Sequence, residues 1–309
     1  TVVEGMERAG LRLLLLERAS SLCISLTDYT SAGGALVGMM QCVDQVLLPD
    51  SGMQIHGCAG DEGVASVHCA IAVYLWRCGE DDAALAHLAA AAEASQSARL
   101  RATILRATLL FSAPDAARDN DAAQNARERA AREAPMVVEQ AAMLAAAGAS
   151  AASGMAASGL WAMAHLRVLR ARCILSLSDA PDAAQLDYAR GLLLEALSIA
   201  DGALSDPPLQ AEVMSLLGET WLQLGDSEEA LKWAEKAHAR AGLLGDHWLH
   251  SRVLRSLERL LLRFPEKAKK AQAALTIRTA RAKAAAQATE QAIGSANHQK
   301  VRAWRIRWQ

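Results

Sequence analysis

The chain has 309 residues, 52% hydrophobic but only 4% aromatic. That balance favours helices packed through small side chains and argues against a β architecture. The net charge is −2, yet residues 265–309 hold ten Lys or Arg against Glu266 and Glu290, which leaves −10 on the rest. An acidic body with a basic tail is therefore expected.

No apolar run approaches the ~18 residues that a spanning helix needs, because Leu11 to Leu16 runs straight into Glu17 and Arg18. No membrane partner is expected, and the chain should be soluble. Six cysteines, Cys23, Cys42, Cys58, Cys69, Cys78 and Cys173, form no C-x-x-C pair. They read as small apolar fillers in a reducing compartment.

In chain order, the first helical hairpin is expected from Leu11 to Leu26, a Thr27 to Gly34 turn, and a second helix with Ala35, Met39 and Cys42. Pro49 to Gly63 is rich in turn formers and reads as a loop. A second hairpin covers 68–93, with Tyr74 as the large ring, Gly79 at the tight turn, and Ala84, Leu88 and Ala91 on the following helix. The helix Ala98 to Phe111 should stop at Ser112-Ala113-Pro114-Asp115. Asp119 to Glu133 has almost no large apolar residue and reads as a solvent-facing helix or a disordered insert. Val137 to Ala147 should pack, and Gly148 to Gly159 is the flexible segment.

A third hairpin joins Ala164–Leu177 to Ala183–Ala200 through a turn and cap at Ser178 to Asp182, with Ala189, Leu193 and Ala196 on its second helix. The fourth carries the clearest signal. Leu217-Gly218 and Trp221 stand on its first helix, Gly225 at the turn, and Ala230, Ala234 and Ala237 on its second. The reason is steric: two antiparallel helices crossing closely want Gly or Ala at the contact, with one large ring and several aliphatics between. Asp226 or Ser227 should cap the second helix, with Glu228 and Glu229 in its positive first turn.

Val253, Leu254, Leu257, Leu260 and Leu261 form a period-3.6 stripe that should close the last hairpin before Pro265. Residues 266–293 have few large apolar anchors and read as a weakly docked helix. Arg302, Trp304, Arg305, Arg307 and Trp308 alternate with apolar residues, as an extended segment laid on a partner would. They are the candidate partner-binding residues. The same pattern suits nucleic-acid stacking, but an assembly tail with indole and arginine anchors is favoured.

Chemistry is sparse. His247 and His250 share a helical face but no pattern supplies the other ligands of a metal site. Cys78 would need a base such as His68 or His87 to act as a nucleophile. No phosphate-binding glycine motif occurs. The expected protein is a non-catalytic, all-α, tetratricopeptide-like solenoid, a right-handed superhelix of hairpins over 1–264 with inserts near 49–63 and 112–134, followed by a basic helix and tail over 265–309. It should need no cofactor or metal and take no small-molecule substrate.

The segment from Val64 through Tyr74 and Ala84-Leu85 to Arg99-Leu100, then Ala162 to Cys173, the Ala183 to Ala200 helix and the Leu217-Gly218 hairpin, resembles the C-terminal helical-repeat region of the family of fifth subunits of the anaphase-promoting complex, a cell-cycle ubiquitin ligase. The resemblance runs from residue 10 to residue 245, and the segments at 115–134 and after Pro265 depart from it. It implies a scaffold that holds other subunits of a large complex together in nucleus and cytoplasm, the catalysis lying on other chains. Two other classes stand beside it: a general tetratricopeptide adaptor for peptides or regulatory partners, and a helical-repeat RNA-associated factor that works through its basic tail.

Overall fold

The structure, a computed structural model, describes residues 2–47, 58–116, 120–149, 157–177 and 181–304. Its described residues form thirteen α-helices and no strand: α1 (Val2–Ser25), α2 (Tyr29–Leu47), α3 (Cys58–Arg77), α4 (Asp81–Ala94), α5 (Gln96–Ala116), α6 (Asn120–Ala149), α7 (Ala157–Leu177), α8 (Ala183–Gly202), α9 (Pro207–Gln223), α10 (Ser227–Gly242), α11 (His247–Leu261), α12 (Ala268–Ile293) and α13 (Ala296–Ala303). Consecutive helices pack in pairs, α1 with α2, α3 with α4, α7 with α8 and α9 with α10. The protein is thus an all-α helical-repeat protein. Two compact units arise, Thr1–Leu109 with Ala286–Gln309, and Leu110–Ala285. The boundary expected after residue 264 lies inside the second.

The hairpins are built by a recurring local device. Gly79, Gly225 and Gly245 take φ of +81°, +89° and +71°, a left-handed turn that a side chain resists. In the last two cases an aspartate follows and caps the next helix. Asp226 accepts from the Glu229 N–H at 2.9 Å and Asp246 from the Leu249 N–H at 2.9 Å. Asp206 caps α9 in the same way, through the Leu209 N–H at 3.1 Å. Asp182 goes further and forms a full capping box with Gln185.

Packing follows from small residues. A Cβ placed on Gly218 would lie 3.1 Å from the Ala230 carbonyl oxygen and 3.4 Å from the Ala234 nitrogen, so α9 and α10 cross with backbones nearly touching. Ala230, Ala234 and Ala237 are buried at that crossing. In the other hairpins Ala84 and Ala91, and Ala189 and Ala196, are fully buried. Tyr74, also fully buried, fills the space beside α3, and Leu217 does so in the second unit. Trp221 is only half-buried, its ring covered by the Arg190 guanidinium at 4.8 Å.

Several expectations give way to tertiary context. The first hairpin's turn ends at Asp28, whose carboxylate accepts from the Ser31 N–H at 3.0 Å, so residues 29–34 are already helical. Residues 58–63 of the expected loop form the first turns of α3, while 48–57 lie outside the described residues. Helix α5 passes Pro114 and ends at Ala116. The two segments expected around 119–133 and 137–147 are one helix, α6, with Pro135 inside it. Ala130, Ala134, Val137, Val138 and Ala141 give α6 a buried stripe, so this is not a wholly solvent-facing insert. Of the expected flexible segment, 148–149 and 157–159 are helical and 150–156 lie outside the described residues; so do residues 178–180 of the third turn. Helix α12 buries only Ala271, Ala274 and Ala292, the light docking its composition suggested.

Candidate functional site

In the second unit, α9 lies between α7 and α11, while α8 and α10 pack behind. The front face of these three helices carries a cavity of about 120 Å³. Each helix contributes residues at helical spacing: Arg172 and Ser176 from α7; Glu212, Ser215 and Glu219 from α9; Arg252, Arg255, Ser256 and Arg259 from α11. On α11 these polar positions fall at i, i+3, i+4 and i+7, hence on one face. Leu254, Leu257, Leu260 and Leu261 are buried on the other side of the helix, while Leu249 and Val253, also buried, line the cavity beside the arginines. The leucine stripe read from the sequence therefore fixes where the arginines point.

The electrostatics are specific. Arg172 is 4% exposed and forms an ion pair with Glu212, and Arg252 Nη1 approaches the same carboxylate at 3.8 Å. The Arg252 guanidinium lies 4.6 Å from the Trp248 ring centroid, which holds it in place. Glu219 accepts from Ser256 Oγ at 2.6 Å. Arg172 keeps a buried Nε–H for which the described residues supply no acceptor, and such a group carries a desolvation cost until an acceptor reaches it. Four arginines thus line the cavity against two glutamates. On the same helix as Arg172, burial lowers the pKa of the His165 imidazole.

The tail residues singled out from the sequence lie elsewhere, and the structure brings only two of them into view. Val301 to Ala303 belong to α13, not to an extended segment, because Ser295 caps the helix through the His298 N–H at 3.1 Å. Trp304 is 8% exposed and its ring lies against His68 at 4.9 Å between centroids. Arg302 Nε donates to Glu80 at 3.0 Å. The fully buried His298 joins both ends of this contact: Tyr74 Oη lies 3.1 Å from its Nδ1 and Glu80 lies 2.9 Å from its Nε2. Arg302 and Trp304 are thus engaged within the first unit. Arg305, Arg307 and Trp308 lie outside the described residues.

The remaining candidates for chemistry are paired with one another. His68 and His87 share a hydrogen bond of 2.8 Å between their Nδ1 atoms, so neither is poised as a base for Cys78. Burial pushes the Cys78 thiol up to about 12 and that of Cys173 up to about 11. His250 is bonded to His238 at 3.0 Å, and His247 receives an Arg281 N–H at 2.9 Å. Burial, then His238, lowers His250 to about 4. Among the described residues no group of three or more His, Cys, Asp or Glu could hold a metal ion, and no described helix is long and apolar enough to cross a membrane. No protein-family model matches the chain, and a search of curated proteins gives no match.

Proposed function

We propose that this protein is a non-catalytic helical-repeat scaffold that binds other proteins, with the front face of α7, α9 and α11 as one binding surface. The observation that carries this reading is the polar cavity formed where those three helices line up, with charged side chains already held by ion pairs and stacking. Pre-organised arginines on rigid helices are suited to a protein ligand, since little side-chain entropy remains to be lost on binding. A cavity of about 120 Å³ is below the ~300 Å³ at which small-molecule sites begin. The thiols raised by burial and the histidines paired with one another favour a binding role over a catalytic one. In the first unit, Leu11, Leu15 and Leu22 stand 59%, 61% and 60% exposed along one side of α1, an apolar stripe of the kind that protein contacts use.

The narrower reading, a scaffold subunit of a cell-cycle ubiquitin ligase in nucleus and cytoplasm, rests on segment order alone. Purification of the tagged chain from its native cells, followed by mass spectrometry, tests both. Stable co-purifying chains are expected. A cullin-like and a RING chain among them would support the narrower reading, and a clean preparation without partners would overturn the scaffold reading altogether.

A further inference from the structure

We propose that the cavity between α7, α9 and α11 recognises an acidic segment of a partner protein, one carboxylate entering to meet Arg172 while Arg255 and Arg259 hold flanking acidic residues. The inference rests on the reading of this face as a binding surface and adds the chemistry of what binds there.

Three observations converge on an anion. Arg172 is nine-tenths buried, and the Nε–H that it keeps beside the Glu212 ion pair has no acceptor among the described residues. The Arg172 guanidinium is part of the cavity lining, and a carboxylate oxygen brought against it would gain a charge-assisted bond. Next, the lining carries Arg172, Arg252, Arg255 and Arg259 against Glu212 and Glu219, an excess of two positive charges. The rest of the body is acidic, so this face is a local reversal of sign that would steer an acidic segment to it. The third is size and shape. About 120 Å³ is below the ~300 Å³ at which small-molecule sites begin, which suits the entry of a single side-chain carboxylate.

The positions also suit an extended or helical peptide. Arg252, Arg255 and Arg259 fall along about two turns of α11, so anionic groups spaced along one strand of ligand could each meet a guanidinium. The arginine fork matches carboxylate in two parallel hydrogen bonds. A phosphorylated side chain offers the same oxyanion chemistry, and the test separates the two sources.

The full chain is titrated against a fluorescein-labelled octaglutamate peptide, with a phosphoserine peptide of otherwise neutral sequence, octalysine and an oligouridine as comparators, and binding is read by anisotropy. Octaglutamate is expected to bind, and Arg255→Glu with Arg259→Glu to weaken it at least ~tenfold, the loss of about one charge-assisted hydrogen bond. Both side chains sit at the surface of the cavity, and an unchanged circular dichroism spectrum confirms folding. The control is Lys269→Glu with Lys283→Glu, two exposed positions on α12 with the same change in net charge. It should leave binding within twofold.

Tight binding of the phosphoserine peptide with weak octaglutamate binding would overturn the carboxylate assignment in favour of phosphate. Preferential oligouridine binding, or an equal loss in both double variants, would overturn the acidic-segment proposal. Recovery of partners from cells separates this from the broader reading. If the Arg255→Glu, Arg259→Glu chain loses its partners while octaglutamate does not displace them from the unmodified chain, the face binds protein by other chemistry and only the acidic ligand is refuted. If that variant retains every partner, the binding-face reading fails with it.

Discussion

The tightest point of the fold is the α9/α10 crossing, and replacing Gly218 by alanine tests it. In an open helix a Gly→Ala change stabilises by about 1 kcal/mol through backbone entropy. Gly191, in the middle of α8 with nothing within 4 Å of an added Cβ, should show that full gain. At Gly218 the new methyl would sit 3.1 Å from the Ala230 carbonyl oxygen and 3.6 Å from the Ala234 Cβ. The obstacle is backbone, so α10 must withdraw by a few tenths of an ångström, loosening contacts at Ala230, Ala234 and Ala237. Overpacking of this kind costs about 1–3 kcal/mol, which offsets or exceeds the entropic gain. Gly191→Ala should therefore raise the thermal midpoint, while Gly218→Ala leaves it unchanged or lowers it. With about 2–4 °C per kcal/mol for a unit of this size, the two variants should melt at least ~2 °C apart. Gly218→Val, which crowds the same carbonyl further, should melt lower still. If Gly218→Ala raised the midpoint as much as Gly191→Ala, the close crossing would be wrong.

Further outcomes follow from the same geometry. Gly225→Ala forces a Cβ into a turn with φ of +89° and should destabilise by about 1 kcal/mol or more, whatever open space surrounds it; an unchanged urea midpoint would refute the turn assignment. Asp182→Ala removes the acceptor from the Gln185 N–H, 2.7 Å away, and should cost about 1 kcal/mol, which Asp182→Asn should largely restore. Acid should weaken the first unit through His68, whose folded pKa lies near 4 because of burial and then the His87 ring, against an ordinary 6.5. A depressed value favours the neutral form, so this stabilisation is complete above pH 6.5 and is lost as pH falls from 6.5 through about 4. For one group it amounts to at most about 3 kcal/mol. The urea midpoint should therefore drop between about pH 7 and about pH 5, and less so with His68→Leu and His87→Leu; equal drops in both proteins would show that the pair is not the cause.

The repeat cores were legible because their determinants are local. Leu217, Gly218, Gly225, Ala230 and Ala237 lie close in sequence, and a close crossing admits few residue types at the contact. The same locality made the aspartate caps readable. The tail was read less well, since alternating Arg and Trp suits an extended segment as well as a short helix. What decided α13 was its Ser295 cap together with Tyr74 and Glu80, which lie more than two hundred residues earlier in the chain. The stop expected at Pro114 misled, since α5 continues through it to Ala116, and α6 likewise runs through Pro135.

The cavity arginines went unnoticed for a related reason. Arg172, Glu212 and Arg252 sit on three separate helices, and each alone is an unremarkable charge on an amphipathic surface. A fragmentary signal was present in the spacing of Arg252, Arg255, Ser256 and Arg259, opposite the leucine stripe of α11, but it fixes only that they share a face.

Composition and short-range pattern thus determined that this chain would be helical, where its hairpins turn, and which small residues lie at the crossings, because backbone sterics and helix periodicity act over a few residues. Tertiary structure alone decided which charges meet. Burial of Arg172, its pairing with Glu212, and the sign of the front face depend on helices brought side by side from distant parts of the chain, and the free energy of a charge is set by what surrounds it in space.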